Sequence, residues 1–419
     1  MKITIIAPGS RGDVQPYVAL GKGLKQAGHS VGILASQDFQ SLITEHGLQF
    51  LDMGGSMQAI AQSMQNLLEQ GNFLKILSSM GAAAKRMAGQ ASVNALAACQ
   101  RSDLIIAGLG GLFVGLAISE KLDTPLMQAY YFPFTPTHEF PNALAPLPPG
   151  RLPAWVNRLS HVIVQQMMWQ NYRAADNLAR RQVLNMAPAP FGGPFASLQK
   201  QKQPILYGYS PQVIPPPGDW GDFIHVTGYW FLDPPSGWEP PIDLVNFLQS
   251  GPPPIYIGFG SMVNSKPGET TEVILQALER TGQRGVLSEG WGGIKKEVLP
   301  ENVFMIGSIP FSWLFPQMAA VVHHGGAGTT SMSLRAGVPS IVVPFMGDQP
   351  FWGKRVHELG VGPEPIPLRR LSVDRLAGAI QCALSDTAMR EKAARLGERI
   401  RAEDGIARAV EIIEKGKGL

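Results

Sequence analysis

The stretch HHGGAGTT, residues 323–330, lies between a short apolar run and a segment with helical spacing of its apolar residues. Small residues let a ligand approach the backbone, and free N–H groups at a helix start favour a bound anion. Thr329 and Thr330 are expected at that helix start. Because the Gly-Lys-Ser/Thr ending of a triphosphate loop is missing, the stretch favours a diphosphate, with one histidine as a further donor. A tight strand-to-helix turn without a ligand is the alternative.

Short apolar runs alternate with helical segments on both sides of this stretch. In the second half, strands are expected at 254–259, 285–287, 303–306, 320–323 and 340–343, with a helix at 271–281. In the first half, strands are expected at 2–7, 30–35, 104–107 and 125–129, with a helix at 15–27. This alternation is typical of parallel sheets covered by helices. The sequence predicts an α/β chain with two facing, doubly wound, Rossmann-like domains.

A proline-rich stretch at 211–241 separates the two halves of the chain. It contains a triple proline at 215–217 and proline pairs at 234–235 and 240–241. Such composition resists regular structure and suits a semi-rigid linker. A chain of 419 residues also exceeds what one hydrophobic core usually holds. We therefore expect a first domain over 1–210, a linker over 211–241 and a second domain from 242.

Composition excludes several classes of function. Charged residues make up 16% of the chain, the net charge is +3, and no run of Lys or Arg points to nucleic acid. The 8 histidines show no metal-site spacing. Cys99 and Cys382 lie far apart, which favours a reducing compartment over a disulfide framework. With no secretory signal and no apolar run of membrane-spanning length, we expect a soluble, cytoplasmic protein, and contact with a membrane surface stays open.

Two long helical regions, 56–100 and 153–183, are rich in flexible apolar side chains. Methionine adapts its shape, so these regions suit the wall of a pocket for an apolar acceptor. Ordinary packing between helices explains the same composition. The sequence does not separate the two interpretations.

Asp348 and Gln349 follow the last expected strand of the second half. A carboxylate accepts hydrogen bonds from sugar hydroxyls, and an amide both donates and accepts them. Ligands gather at the carboxyl ends of strands in open α/β sheets, which supports a sugar-binding role. The alternative is an aspartate that caps the next helix.

Other loops of the second half are candidates for contact with a nucleotide. Ser261 follows the first strand and is expected near the phosphates. Trp291 lies in a glycine-rich loop that could cover the nucleotide, and Ser308 and Ile309 lie where a base would dock.

Asp13 is the candidate catalytic group of the first half. The loop GSRGD, residues 9–13, follows the first strand, where a catalytic group would be expected. An alcohol is far less acidic than a carboxylic acid, so Asp13 would accept the acceptor's proton while the leaving group departs. The alternative is an aspartate that caps the following helix, and the two roles are compatible.

Taken together, these motifs resemble the nucleotide-sugar-dependent glycosyltransferases of the GT-B fold, family 1. Within that family the chain is most similar to the sterol glucosyltransferases, and it is also similar to the glycopeptide-antibiotic glycosyltransferases. The resemblance runs from residue 1 to about residue 415 and is carried by 9–13, 257–261, 290–292, 324–329 and 348–349.

The resemblance implies an inverting, metal-independent transfer, with UDP-glucose as the expected co-substrate and no other cofactor. It implies a hydrophobic hydroxyl acceptor, such as a sterol, another terpenoid or a polyketide. It implies a C-terminal helix, within 396–419, that crosses back to an acceptor-binding first domain, and a nucleotide-sugar-binding second domain over 242–395.

The resemblance also assigns roles to residues. His324 and the amides of Gly326, Ala327, Gly328 and Thr329 would bind the diphosphate, with Ser261 as a further phosphate contact. Asp348 and Gln349 would bind the sugar. Asp13 would be the base, with Ser10 beside it. Phe134, His138 and Glu139 lie in a segment similar to the acceptor-side loop and are secondary candidates.

Two other functions stay open at this point. A Rossmann-type oxidoreductase is disfavoured because the first loop lacks the Gly-x-Gly-x-x-Gly spacing. A non-catalytic nucleotide-sugar-binding protein is disfavoured because Asp13, His324 and Asp348 are all present.

Overall fold

The computed structural model describes residues 1–56, 73–145, 152–235, 237–260, 267–289 and 299–416. The chain forms two compact units. Among the described residues, the first unit takes in the chain up to Leu232 and the terminal segment from Asp404, and the second unit runs from Asp233 to Glu403. Within the described residues we find no helix long and apolar enough to cross a membrane.

The first unit is built on a sheet of seven strands, all parallel. Their order across the sheet is β3-β2-β1-β4-β5-β6-β7. The strands are β1 (Lys2–Ile6), β2 (Ser30–Ala35), β3 (Gln49–Asp52), β4 (Leu104–Ala107), β5 (Leu126–Tyr130), β6 (Ile205–Tyr207) and β7 (Ile224–Val226).

Helices flank this sheet, as continuously apolar central strands require. They are α1 (Arg11–Gln26), α2 (Gln40–Glu45), α3 (Phe73–Cys99), α4 (Leu112–Leu122), α5 (Ala154–Ala179) and α6 (Phe195–Lys200). The last helix of the chain, at Gly405–Lys415, also belongs to this unit. It packs on α1 so closely that a Cβ at Gly23 would lie 2.2 Å from Cγ2 of Ile406.

The second unit is built on a sheet of five parallel strands in the order β10-β9-β8-β11-β12. The strands are β8 (Ile255–Gly258), β9 (Gly285–Ser288), β10 (Val303–Ile306), β11 (Ala320–His323) and β12 (Ser340–Val342). Its helices are α7 (Ile242–Gln249), α8 (Pro267–Thr281), α9 (Phe311–Leu314), α10 (Ala327–Ala336), α11 (Gln349–Glu358), α12 (Val373–Ser385) and α13 (Thr387–Arg401). The helix at Gly405–Lys415, which belongs to the first unit, is α14.

Both sheets confirm the predicted fold class of two doubly wound α/β sheets. In each sheet the strand order reverses at one point, between β1 and β4 in the first and between β8 and β11 in the second. Ligands of open α/β sheets bind outside the carboxyl ends of the strands at such a reversal. The loops after β1, β8 and β11 are therefore the places to examine for a site.

Two details differ from the sequence-based expectations. The first helix begins at Arg11 rather than at residue 15, because Ser10 takes the N-cap position and Pro16 lies inside the helix. The proline-rich stretch 211–241 contains β7 and the buried residues Tyr229 and Trp230, so much of it belongs to the first unit. β7, the edge strand of the first sheet, lies between the proline runs of this stretch.

Candidate active site

The glycine-rich stretch after β11 forms the start of α10. Gly326 is the N-cap, with extended backbone and no side-chain cap, and Ala327 is the first helical residue. The N–H of Thr330 donates to the carbonyl of Gly326 at 2.9 Å. The amides of Ala327, Gly328 and Thr329 therefore have no acceptor within the helix, as helix geometry dictates. The helix starts two residues before Thr329, and its first turn presents three donors to an anion.

The His324 ring lies against two glycines. A Cβ at Gly260, which follows β8, would lie 3.1 Å from Cε1 of His324, and a Cβ at Gly326 would lie 2.4 Å from its Nε2. Gly260 also has a φ of +61°. A side chain at either position would push the ring away. The loops after β8 and β11 thus meet at His324, on both sides of the point where the strand order reverses.

His324 is held as a neutral imidazole. Desolvation lowers its pKa from 6.5 to about 4, although the residue keeps part of its surface exposed. Its buried Nδ1 has no hydrogen-bond partner among the residues the structure describes. An unpaired buried ring nitrogen is costly unless a ligand satisfies it. This observation fits a histidine that serves a bound group.

The neighbouring His323 shapes the turn instead. Its Nδ1 accepts the N–H of Gly325 at 3.1 Å, and the residue is fully buried. Desolvation, followed by the proximity of His324, lowers its pKa to about 3. Of the two histidines, His324 is the one placed for a ligand.

The loop after β12 lies directly beside the glycine-rich turn. A Cβ at Gly325 would lie 3.0 Å from the carbonyl oxygen of Gln349. The buried Gln349 side chain accepts the N–H groups of Phe345 and Met346 at 2.8 and 3.1 Å, so its oxygen orders this loop. Asp348 makes no capping hydrogen bond with its side chain; its Oδ2 accepts from Nε1 of Trp352 at 2.8 Å. The structure places Gln349 beside the glycine-rich turn, with Asp348 next to it in the chain, and their role with a sugar stays a prediction.

The remaining donor candidates divide into two groups. Ser308 and Ile309 follow β10, so they lie at the same edge of the parallel sheet as His324, two strands beyond β8. Ser261 and Trp291 lie outside the described residues.

Asp13 is the third residue of α1, so the interpretation of Asp13 as the helix cap is wrong. Its Oδ2 accepts the N–H and the hydroxyl of Ser10 at 2.6 and 2.7 Å. This is the reach-back half of a capping box, in which the third helical residue satisfies the N-cap amide. Gly9 makes room for it: its φ is +147°, and a Cβ there would lie 2.5 Å from Oδ2 of Asp13. Ser10 therefore positions the carboxylate, in agreement with its predicted place beside Asp13.

Tyr131, which follows β5, is the residue that sequence reasoning missed. Its hydroxyl donates to Oδ1 of Asp13, across 118 positions of the chain. The carboxylate is thus fixed from two sides, by Ser10 on Oδ2 and by Tyr131 on Oδ1. One sequence feature could have indicated Tyr131. It is a polar aromatic residue directly after a buried strand, so it lies at the same edge of the parallel sheet as Asp13.

The three acceptor candidates lie in the loop that follows β5 and Tyr131. Nδ1 of His138 pairs with Oδ2 of Asp219 at 2.8 Å, and Oε1 of Glu139 accepts the N–H of Gly218 at 2.6 Å. Phe134 is buried in an aromatic cluster with Tyr130. All three tie the loop after β5 to the rest of the unit. Contact with an acceptor stays a prediction for each of them.

Comparisons with known proteins agree with this arrangement. Residues 3–141 match the model of the glycosyltransferase family 28 N-terminal domain. Residues 292–415 match the model of the erythromycin biosynthesis protein CIII-like C-terminal domain. Among solved structures, the glycosyltransferase of kitacinnamycin superimposes with a TM-score of 0.70 at 20% identity, over 99% of this chain and 98% of that one. The fold and the two family models define a glycosyltransferase of the GT-B fold.

Curated relatives refine the class. A sterol 3-beta-glucosyltransferase of Arabidopsis thaliana is 37% identical over 431 aligned residues, which cover 99% of this chain and 68% of the relative. A sterol 3-beta-glucosyltransferase of Aspergillus terreus is 39% identical over 99% of this chain and 30% of the relative. The chain belongs to the sterol 3-beta-glucosyltransferase family. It spans about two thirds of the plant relative and less than a third of the fungal one.

Proposed function

We propose that this enzyme transfers glucose from UDP-glucose to the hydroxyl of a sterol or a similar hydrophobic alcohol, with inversion and without a metal. The observation that carries the proposal is the start of α10. Its three amides and the unpaired ring nitrogen of His324 lie where the strand order reverses, beside Asp348 and Gln349. The names of the curated relatives support glucose and a sterol.

The donor diphosphate would bind at this helix start. Backbone amides and the positive end of the helix dipole stabilise phosphate charge, and that charge grows as the diphosphate leaves. His324 would donate a further hydrogen bond from its ring. Among the described residues, no three His, Cys, Asp or Glu side chains cluster as metal ligands.

Asp13 would receive the proton in the transfer step. The acceptor oxygen attacks the anomeric carbon, a new C–O bond forms, and the bond between that carbon and the diphosphate oxygen breaks. The acceptor proton passes to Asp13, whose Oδ1 has two lone-pair directions and receives the Tyr131 hydrogen bond on one of them. Attack opposite the leaving diphosphate inverts the anomeric centre.

A screen of donors against acceptors tests this function. The enzyme is incubated with UDP-glucose or TDP-glucose and with a sterol, a terpenoid alcohol or a polyketide aglycone, and products are identified by mass. We expect a sterol β-glucoside from UDP-glucose, with an unchanged rate after treatment with a chelator. An α-glucoside, or turnover that disappears on chelation and returns with a metal, would contradict the mechanism. Products from polyketides alone would contradict the acceptor class.

The family assignment decides between the functions left open by the sequence. It excludes the Rossmann-type oxidoreductase and supports an enzyme over a nucleotide-sugar-binding protein without activity.

A further inference from the structure

Helix α5 of the first unit is apolar on its outer face. Trp155, Leu159, Val162 and Ile163 are 66%, 44%, 43% and 48% exposed. Their spacing places them on one face of the helix, because residues three and four positions apart are neighbours. Single exposed apolar residues are ordinary, but a contiguous row of them marks an interaction surface. We call these four residues the α5 stripe.

The inner face of the same helix segment is largely polar. Asn157, Ser160, His161 and Gln165 are all buried. The Asn157 amide donates to the carbonyl of His138 at 2.9 Å, and the Ser160 hydroxyl accepts the N–H of Asn142 at 2.9 Å. The usual pattern of a surface helix, apolar inside and polar outside, is thus reversed.

Hydrogen bonds keep the helix in this orientation. Nε2 of His161 lies 3.1 Å from the carbonyl of Phe140, and Nε2 of Gln165 donates to the carbonyl of Phe134 at 3.3 Å. Rotation of α5 to bury the α5 stripe would break these contacts and leave buried polar groups unpaired. The apolar side chains are therefore held outward by the fold.

A second segment extends the apolar surface along the helix. Phe191 is 73% exposed, and its carbonyl accepts from Nε1 of Trp169 and Nε2 of Gln170 at 2.9 and 2.7 Å. The guanidinium of Arg173 lies 4.7 Å from the centre of the Phe191 ring. Phe191 therefore adds one more exposed ring beside the helix, past Gln166 and Gln170.

The charge on this part of the helix favours one kind of partner. Between residues 154 and 175, α5 has two arginines, Arg158 and Arg173, and no Asp or Glu. Arg158 lies three residues after Trp155 and four before Val162, within the stripe. A tryptophan and aliphatic side chains next to arginine match the interface of a bilayer, where apolar groups enter the acyl boundary and cations meet anionic headgroups.

We propose that the α5 stripe docks the enzyme on the surface of a lipid bilayer that contains anionic phospholipid. This inference rests on the proposed function, because a sterol-like acceptor is dissolved in membranes and not in water. The hydrogen bonds described above tie α5 to the loop 134–142 that follows β5 and Tyr131. Docking would therefore hold the acceptor side of the first unit against the source of its acceptor.

Vesicle flotation tests the docking surface without donor or acceptor. The enzyme is mixed with vesicles of phosphatidylcholine and phosphatidylserine, or of phosphatidylcholine alone. We expect the native enzyme to float with the mixed vesicles and to be released by salt. A double variant, Trp155→Gln with Ile163→Gln, should bind at least about tenfold more weakly, since it removes two of the largest inserted groups.

Val93→Gln is the matched control, because Val93 is 49% exposed but lies on α3. It should float like the native enzyme, and thermal unfolding should show that both variants are folded. Equal flotation of the double variant and the control would overturn the proposal, as would a native enzyme that does not float. Sedimentation of both proteins without vesicles gives one more outcome. If the native enzyme sediments as a dimer and the double variant as a monomer, with no difference in flotation, the α5 stripe is a contact between copies and the proposal fails.

Turnover separates this inference from the proposed function. With an acceptor dispersed in detergent, the double variant should keep the native rate, and with the acceptor embedded in vesicles its rate should fall. A native enzyme that binds vesicles but forms no glucoside would refute the function and leave the docking surface intact.

Discussion

The two units place the same local motif, a strand followed by a loop and a helix, at the reversal point of their sheets, but they treat the helix start differently. In the first unit, α1 has an acidic residue in its first turn, Asp13, which is held by Ser10 and Tyr131. In the second unit, α10 starts from a glycine N-cap and has no acidic residue in its first turn. The first helix start is neutralised by the protein's own carboxylate.

This difference in charge suits the two loops to different reactants. A helix start that already holds a carboxylate repels a second anion, so the first loop is suited to accept a proton and not to bind a phosphate. A helix start with three amides and no carboxylate of its own is suited to bind an anion such as the proposed diphosphate. On the proposed function, the same geometry would serve as a base in one unit and as a donor site in the other, according to one side chain.

Removal of the carboxylate in the first loop should have the largest effect. Asp13→Asn keeps the shape of the side chain but cannot accept the proton, so we expect turnover to fall about 10²- to 10⁴-fold. The UDP dissociation constant, measured by calorimetry, should stay at the native value. Asp103→Asn is the control, because Asp103 accepts the N–H of Lys2 at 2.7 Å at the opposite edge of the sheet. Turnover of Asp13→Asn within twofold of this control would show that Asp13 is not the base.

A carboxylate added to the second loop should convert it into a copy of the first. Outside its own helix backbone and chain neighbours, no heavy atom of the described residues lies within 4 Å of a Cβ built at Gly328, so these residues leave room for Gly328→Asp. The new charge at the helix start should weaken UDP binding by about 10- to 100-fold, while the free energy of unfolding stays equal or rises by about 0.5–1 kcal/mol. Gly328→Ala should bind UDP like the native enzyme. Calorimetry measures the UDP affinity of both variants, and thermal unfolding measures their stability. If Gly328→Asp binds UDP with the native affinity, the diphosphate does not bind at the start of α10.

The Tyr131 contact should matter less than the carboxylate it orients. Tyr131→Phe removes one hydrogen bond to a charged oxygen, so we expect kcat to fall about tenfold. The KM for the donor should not change, because the proposed donor site lies in the other unit. A purely structural role would instead lower the melting temperature and leave kcat of the folded enzyme intact. Steady-state kinetics at varied donor concentration separates these results.

The smallest expected effect is the contribution of His324 to the loss of stability at acidic pH. Its pKa is about 4 in the folded chain and 6.5 for an unperturbed histidine, so between these two pH values the unfolded chain binds a proton that the folded chain does not. Stability is therefore complete above pH 6.5 and decreases as the pH falls toward 4. Between neutral pH and pH 5, the free energy of unfolding of His324→Gln should therefore fall by about 1–2 kcal/mol less than that of the native enzyme. Denaturant unfolding at both pH values measures this, and parallel losses would contradict it.

Much of the fold followed from local sequence. Strand positions such as Leu104–Ala107 and Ala320–His323 were predicted to the residue, because buried parallel strands are short apolar runs bounded by turns. The start of α1 was placed too late because proline usually marks the first turn, and here Pro16 is the sixth helical residue. The edge strand Ile224–Val226 was hidden among prolines.

The site was predictable only where the chemistry is local. The proposed diphosphate site of α10 and the carboxylate of Asp13 each lie within one loop, so residue type and spacing indicate them. The Tyr131 contact and the packing of His324 against Gly260 and Gly326 join distant segments. No local pattern records such contacts, because they depend on which strands lie side by side.

Hydrogen exchange at the two helix starts, with and without UDP, tests the central claim most directly. If the diphosphate binds the amides of α10, saturating UDP should slow exchange at Ala327, Gly328 and Thr329 and leave the first turn of α1 unchanged. Unchanged exchange at these three amides under saturating UDP, or protection at the start of α1 instead, would contradict the account.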